Sequence, residues 1–307
     1  MSPQEGRETF DGFIDLFGEG PDLARVEDHT LPGDVNVRLY ADDSDEPQPA
    51  VMYFHGGGWV LGNIQTHDAL CRRIAKASGC TVISVDYGLA PENPFPKPLD
   101  DCYSATLAVA DKASDIHIDS QRIAVAGDSA GGNLAAAVSL RARDHGGPAI
   151  KLQVLLYPVI EPGFETESYQ QFAESHGLTK ENMKWFWEQY LGAQPAGPLA
   201  AISRAETLEG LPAAHVVTAE YDVLRDEGEA FAGRLIALVC RWRSIDSPSR
   251  SGSVARKDRP TTSSKPSHDE QWCHSVISFS KSRPRKNFLS LITARDRAVA
   301  CVGQART

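Results

Sequence analysis

The stretch Gly127-Asp128-Ser129-Ala130-Gly131-Gly132 constrains this chain more than any other, because of what flanks it. Before it, Arg122–Ala126 is an apolar run of strand length; after it, Asn133–Leu140 has the alanine content of a helix. A serine between the two sits on a sharp strand-to-helix turn, and the flanking glycines admit a strained backbone there. The pattern G-x-S-x-G alone is weak, but in this setting it predicts a nucleophile elbow. The hydroxyl of Ser129 is then lifted clear of the sheet, and the first amides of the new helix point toward the same space.

A second glycine cluster, His55-Gly56-Gly57-Gly58-Trp59, follows the short apolar run Ala50–Phe54, which reads as a buried strand. Three glycines at a strand end are costly in conformational entropy, so a close backbone approach is expected to require them. An oxyanion hole is such a requirement: the loop amides, joined by the amide after the nucleophile, here Ala130, would hold a developing negative charge. Each donor of this kind contributes about 2.7–4 kcal/mol of transition-state stabilisation. His55 is read as a brace for the loop rather than as a base.

Elsewhere strands and helices alternate. A helix from about 68 to 78 leads to the strand Thr81–Val85, a proline-punctuated loop over 86–96 leads to a helix over 100–113, and Leu152–Tyr157 and Ala214–Ala219 are further strands. This alternation predicts an α/β fold, a mostly parallel sheet with helices on both faces, with its site at the carboxyl ends of the strands. Val35–Tyr40 alternates as an edge strand should. Phe10, Phe13, Ile14 and Phe17 have the spacing of a short amphipathic helix, which could form part of a lid. The segment 161–202, carrying Trp185, Phe186, Trp187, Tyr190 and Leu191, reads as a small helical cap whose aromatics pack on the core or line an acyl pocket, core packing being the commoner fate.

With 307 residues and 41% hydrophobic content the chain can bury a large core. Cys71, Cys80, Cys102, Cys240, Cys273 and Cys301 lack the paired spacing of a zinc site or a disulfide framework and are read as free thiols. The first twenty residues are acidic and show neither a secretory leader nor a membrane span, which makes the cytoplasm the default location. A net charge of −10 argues against a nucleic-acid partner. It conceals an asymmetry: residues 1–240 carry 17 Lys+Arg against 36 Asp+Glu, whereas residues 241–307 carry 14 against 5.

Taken together, the motifs resemble the hormone-sensitive-lipase-like branch of the α/β-hydrolases, the bacterial family IV esterases. His55–Trp59 match its HGGGW block, Tyr87–Pro96 its YRLAPE-x-PFP block, Gly127–Gly132 its GDSAGG elbow and Asp222–Gly228 its DPLRDEG block, with Gly88 and Val223 departing from the family's arginine and proline. The match runs from about Val35 to Leu235, within an α/β-hydrolase domain of residues 1–240 capped by 1–30 and 161–202. The resemblance implies a serine carboxylesterase acting on small-molecule esters of short- to medium-chain acids, with no metal or organic cofactor. It implies Ser129 as nucleophile, Asp222 as acid, and Gly56, Gly57 and Ala130 as oxyanion hole. The residues themselves agree on Asp222, which lies just past a strand end, while Asp226 should lie on the following helix and Glu220 is a weaker choice. Asp128 is expected to support the turn rather than react.

The base departs from this pattern. The family carries it as a histidine roughly thirty residues after the acid, beyond one more strand, yet no histidine stands between His215 and His268. Where the family reads approximately Ala-Gly-Val-Pro-Val, this chain reads Ile236–Arg243, followed by a basic tail rich in Ser, Arg, Lys and Pro, of irregular or disordered character. One permitted set of codons for Ala237–Trp242, read one nucleotide out of register, encodes Ala-Gly-Val-Pro-Val, so a slip of reading frame near Ala237 would account for the change. His268 and His274 are the substitutes for the base, each more readily explained as a solvent-exposed residue of a polar tail. The alternatives to a working esterase are a catalytically impaired or non-catalytic ligand-binding member of the same fold, or the product of a damaged gene. The sheet is also expected to lack its final edge strand.

Overall fold

The computed structural model describes residues 2–245 and 300–305. Its centre is an eight-stranded sheet in the order β1-β2-β4-β3-β5-β6-β7-β8. The strands are β1 (Arg25–Leu31), β2 (Val35–Ala41), β3 (Gln48–Phe54), β4 (Thr81–Asp86), β5 (Ile118–Asp128), β6 (Ile150–Leu156), β7 (Ala213–Ala219) and β8 (Ala300–Ala305). β1 and β2 pair antiparallel, as do β2 and β4; every pairing from β4 through β8 is parallel. The expected fold class is therefore the one observed.

The strands that sequence pattern located best are those buried on both faces. Along β3, Met52 and Phe54 enter one core while Val51 and Tyr53 enter the other, and the same alternation runs through Ile83 against Val82 and Val125 against Ala124. One face is covered by α3 (Ile64–Ser78), the other by α4 (Lys97–Asp111), α5 (Ala130–His145) and α8 (Arg225–Ile245). α3 starts on a reciprocal cap, Asn63 accepting the Thr66 amide while Thr66 accepts that of Asn63, and ends on Gly79 in the left-handed region.

Two expectations about the edges are corrected. Val35–Tyr40 is not an edge strand: β2 lies between β4 and β1, and β1, a polar and half-exposed strand, forms the border. Of the residues 1–30 expected to form a lid, 25–30 belong to β1, and the helices there are α1 (Pro3–Asp11) and α2 (Ile14–Phe17). At the opposite border the sheet does carry a final strand, β8, parallel to β7 with Ala214 opposite Ala300 and Ala219 opposite Ala305. Its residues come from far along the tail, across a long connection whose residues 246–299 lie outside the description. The expected irregular character of that connection, and the candidate bases His268 and His274 within it, therefore lie outside the described residues.

The segment expected to form a cap, 161–202, contains α6 (Glu167–Gln171) and α7 (Lys180–Leu191). Its aromatics do pack as core: Tyr190 stacks on Trp59 with ring centroids 4.1 Å apart and 3° between planes, and Trp187 meets the same indole at 4.8 Å. All three are buried. A stacked aromatic pair contributes about 0.5–1.5 kcal/mol beyond its burial, so the cap is fastened directly to the residue that follows the glycine triplet.

Candidate active site

The turn between β5 and α5 has the geometry expected of an elbow. Ser129 adopts φ 53° and ψ −118°, a region in which a residue with a Cβ is strained by roughly 1–3 kcal/mol. Three backbone bonds hold it there: its amide donates to Leu156 O at 2.8 Å, and its carbonyl accepts from Asn133 and Val159 at 3.1 Å each. Although Ser129 occupies the helix N-cap, its hydroxyl makes no capping bond, unlike Thr66 or Thr179 at other helix starts, and so stays available for chemistry. The flanking glycines have steric reasons. A Cβ on Gly127 would enter the backbone of Gly131, and one on Gly131 the carbonyl of Phe54.

Asp128 fastens this elbow to the glycine loop. Its Oδ1 accepts the Tyr53 hydroxyl at 2.7 Å and the Gly56 amide at 3.0 Å, with His67 Nε2 at 3.4 Å. Burial works to raise the carboxyl's pKa, but the attraction of His67 and the hydrogen bonds outweigh it and hold the group below its ordinary value. The expected supporting role of Asp128 is thus observed in the bonds themselves. Of the expected oxyanion donors, Gly56 has its amide bonded to Asp128. Among the described residues no acceptor faces the amides of Gly57, Gly58 or Ala130. Gly57 sits at φ 116° and Gly58 at φ 61°, and a Cβ on either would strike Leu61 or the Phe186 ring. This is the close approach that three glycines in a row require.

His55 braces the loop from behind. Its Nδ1 lies 2.8 Å from Gly56 O, its ring stacks on Tyr87 at 4.3 Å, and Tyr87 donates to its carbonyl at 2.7 Å. Complete burial drives its pKa down to about 3, so it is neutral and unsuited to accept a proton.

Asp222 follows β7, two strands from β5, and is half-buried. Its Oδ1 accepts one bond, from the Leu224 amide at 3.0 Å. Desolvation raises its pKa above the ordinary carboxylate value, with that amide pulling weakly the other way. Tyr157, just past β6, has its pKa raised first by burial and then by the charges of Asp128 and Asp222. Asp226, by contrast, belongs to α8 and is engaged by the Ser168 amide at 2.7 Å and by Arg225 at 2.9 Å. None of the described histidines is hydrogen-bonded to Ser129 or Asp222.

Cys71, Cys80 and Cys102 are free and buried, as expected of them. Among the described residues there is no cluster of metal-ligating side chains, and no helix is long and apolar enough to cross a membrane. Two surface hollows, of about 370 and 450 Å³, are lined by none of the candidate residues. Sequence reasoning missed His67 and Tyr53. The available signal was Thr66-His67-Asp68, polar groups in the first turn of a helix that begins just past the glycine loop.

The strained elbow, the glycine loop bonded to it and the parallel sheet beneath define an α/β hydrolase, and the comparisons agree. Residues 51–243 match the family described as alpha/beta hydrolase fold. The chain belongs to that family, in its hormone-sensitive-lipase-like branch. It is 41% identical to the carboxylic ester hydrolase LipN of Mycobacterium tuberculosis over 230 residues, 71% of this chain and 61% of LipN. Among solved structures it is similar to a thermostable esterase from Pseudomonas putida ECU1011, at 41% identity and TM-score 0.72 over 77% of each chain. It is also similar to an esterase of the archaeon Pyrobaculum calidifontis, at 43% identity and TM-score 0.73, over 77% of this chain and 79% of the other. The chain spans less than two thirds of LipN and, at 58%, of an α/β hydrolase of Acanthamoeba polyphaga mimivirus.

Proposed function

We propose that the chain hydrolyses small-molecule carboxylic esters of short- to medium-chain acids through an acyl-serine intermediate. Ser129 Oγ would attack the carbonyl carbon while its proton passes to a base, and the oxygen that becomes negative would be held by amides of Gly57, Gly58 and Ala130. The alcohol would depart with a proton; water would then release the acid by the same route in reverse. Asp222 would orient the base, and nothing in the scheme calls for a metal or organic cofactor.

The observation that carries the reading is the free Ser129 hydroxyl on a left-handed turn, beside three amides that face no acceptor among the described residues. The names of the relatives above are those of hydrolases, which supports hydrolysis over a role in ligand binding alone. The base is the open role. In subtilisin, loss of the histidine costs about 2 × 10⁶ in turnover, so the rate this chain reaches depends on whether His268, His274 or another group takes the proton.

Hydrolysis of p-nitrophenyl butyrate by the purified 307-residue chain tests the reading. Turnover should exceed that of Ser129→Ala, and equal rates for the two would overturn it. A chain whose reading frame is restored after codon 236 should be faster if the tail supplies no base. Equal rates for the 307-residue and restored chains would show that it does.

A further inference from the structure

The N-terminal helix α1 touches the chain just beyond the glycine loop at three places, Val60, Asn63 and His67, from one of its faces. Arg7 reaches furthest. Its Nε donates to Val60 O at 2.9 Å and its Nη2 to Ala90 O at 3.0 Å. The same guanidinium forks onto Glu92, with Nη1 to Oε1 at 2.9 Å and Nη2 to Oε2 at 2.6 Å. One turn along, Phe10 stacks over His67 at 6.5 Å and 27°, and the Asp11 carboxylate accepts from Asn63 Nδ2 at 3.0 Å. Residues 7, 10 and 11 share a helix face, so these contacts act together.

What they hold is one short segment. Val60 closes a turn on Gly57, its amide donating to Gly57 O at 3.1 Å and that of Leu61 at 2.8 Å. Trp59 O accepts from the Ala90 amide at 2.9 Å, so the carbonyls of Val60 and Ala90 that Arg7 binds belong to two strings of chain already joined. The inner end of the segment is fixed at Gly56 by Asp128, and Asn63 marks its outer end. Between these points lie Gly57 and Gly58, in left-handed conformations and lacking side chains to pack. Nothing intrinsic to two such glycines fixes the direction of their amides.

We propose that Arg7 is a positioning residue for the oxyanion-binding amides, and that α1 is a clamp on the loop rather than only a lid over the site. The proposal rests on the reading of Gly57 and Gly58 as oxyanion donors. A planar five-donor fork is what the position needs, since it must satisfy two carbonyls and a carboxylate at once, which a lysine ammonium does not do in the same geometry. The Glu92 carboxyl is held down to about 2, chiefly by its hydrogen bonds with Arg7.

The test uses Arg7→Met, which keeps an apolar stem, and Arg7→Lys, which keeps the charge. Two quantities are read on the full chain: deuterium exchange of the amides in 57–63 against those of β6, and the rate at which a fluorophosphonate modifies Ser129. Arg7→Met should speed exchange in 57–63 by about ten-fold while leaving β6 unchanged. It should slow modification about 10- to 100-fold, the size of effect expected when reacting groups are misplaced. With p-nitrophenyl butyrate the loss should fall on kcat rather than KM. Arg7→Lys should recover little of it, whereas Arg25→Met, which breaks an ion pair of similar kind on β1, should match wild type.

Should Arg7→Met fail to fold, Glu92→Gln removes the charged partner from an exposed position and should shift both readings in the same direction by less. Unchanged exchange over 57–63 in the folded variants overturns the clamp. If exchange responds as expected but the wild-type chain hydrolyses no ester, the clamp stands and the esterase reading is what fails.

Discussion

Asp128 and Asp222 are acids at the carboxyl ends of parallel strands in one sheet, and the fold treats them in opposite ways. Asp128 accepts from a tyrosine hydroxyl and a glycine amide, faces an imidazole, and has its pKa held below the ordinary value despite its burial. Asp222 is less deeply buried, accepts one amide and has its pKa raised. A carboxylate that ties two loops together is saturated with partners. Asp222 is left with unused bonding capacity and bears the desolvation cost. On the β3–β5 side the acid is saturated with partners, while on the β7–α8 side Asp222 accepts one amide and is hydrogen-bonded to none of the described histidines.

The largest effect that would break this contrast is at Asp128. Asp128→Ala leaves the Tyr53 hydroxyl and the Gly56 amide buried without their acceptor, and should cost about 3 kcal/mol in denaturant unfolding. The wild-type contribution is present above the ordinary value of 3.8 and should be lost as pH falls through the lower folded-state value. A loss below about 1 kcal/mol would mean that elbow and loop hold together without this tether.

The smaller effect is at Asp222 and has the opposite sign with pH. Because its folded-state pKa is raised above 3.8, its favourable contribution is full below that value and disappears as pH rises through the folded pKa. Asp222→Asn keeps an acceptor for Leu224 and removes that dependence. It should change stability at pH 7 by no more than about 0.5 kcal/mol while lowering ester hydrolysis. If Asp222→Asn retained full turnover and Asp226→Asn lost it, the acid would lie one helical turn further on.

Much of this arrangement was legible before the structure. β3, β6 and the second half of β5 are short apolar runs buried on both faces, β7 alternates buried with half-buried residues, and Ser129 and the glycine loop announce themselves by glycines that steric clashes explain. β1 was invisible because a half-exposed border strand such as Arg25–Leu31 carries little hydrophobic pattern. β8 was missed for another reason, since Ala300–Ala305 has few β-branched residues and stands within a basic tail, so that its sequence carries little strand signal. The commitment of Gly56 to Asp128 and the reach of Arg7 to Val60 join residues 72 and 53 positions apart. Such bonds leave no local trace, so motif spacing alone did not reveal that the Gly56 amide is bonded to Asp128.

The most direct test of Ser129 as the nucleophile on the tethered side of the site is to locate a covalent adduct. The full chain is treated with a fluorophosphonate, digested, and its peptides mapped by mass spectrometry beside Ser129→Ala. A single adduct on the peptide that carries Ser129, absent from the variant, is the expected result. Equal labelling of the two proteins, or an adduct elsewhere in the chain, would contradict it.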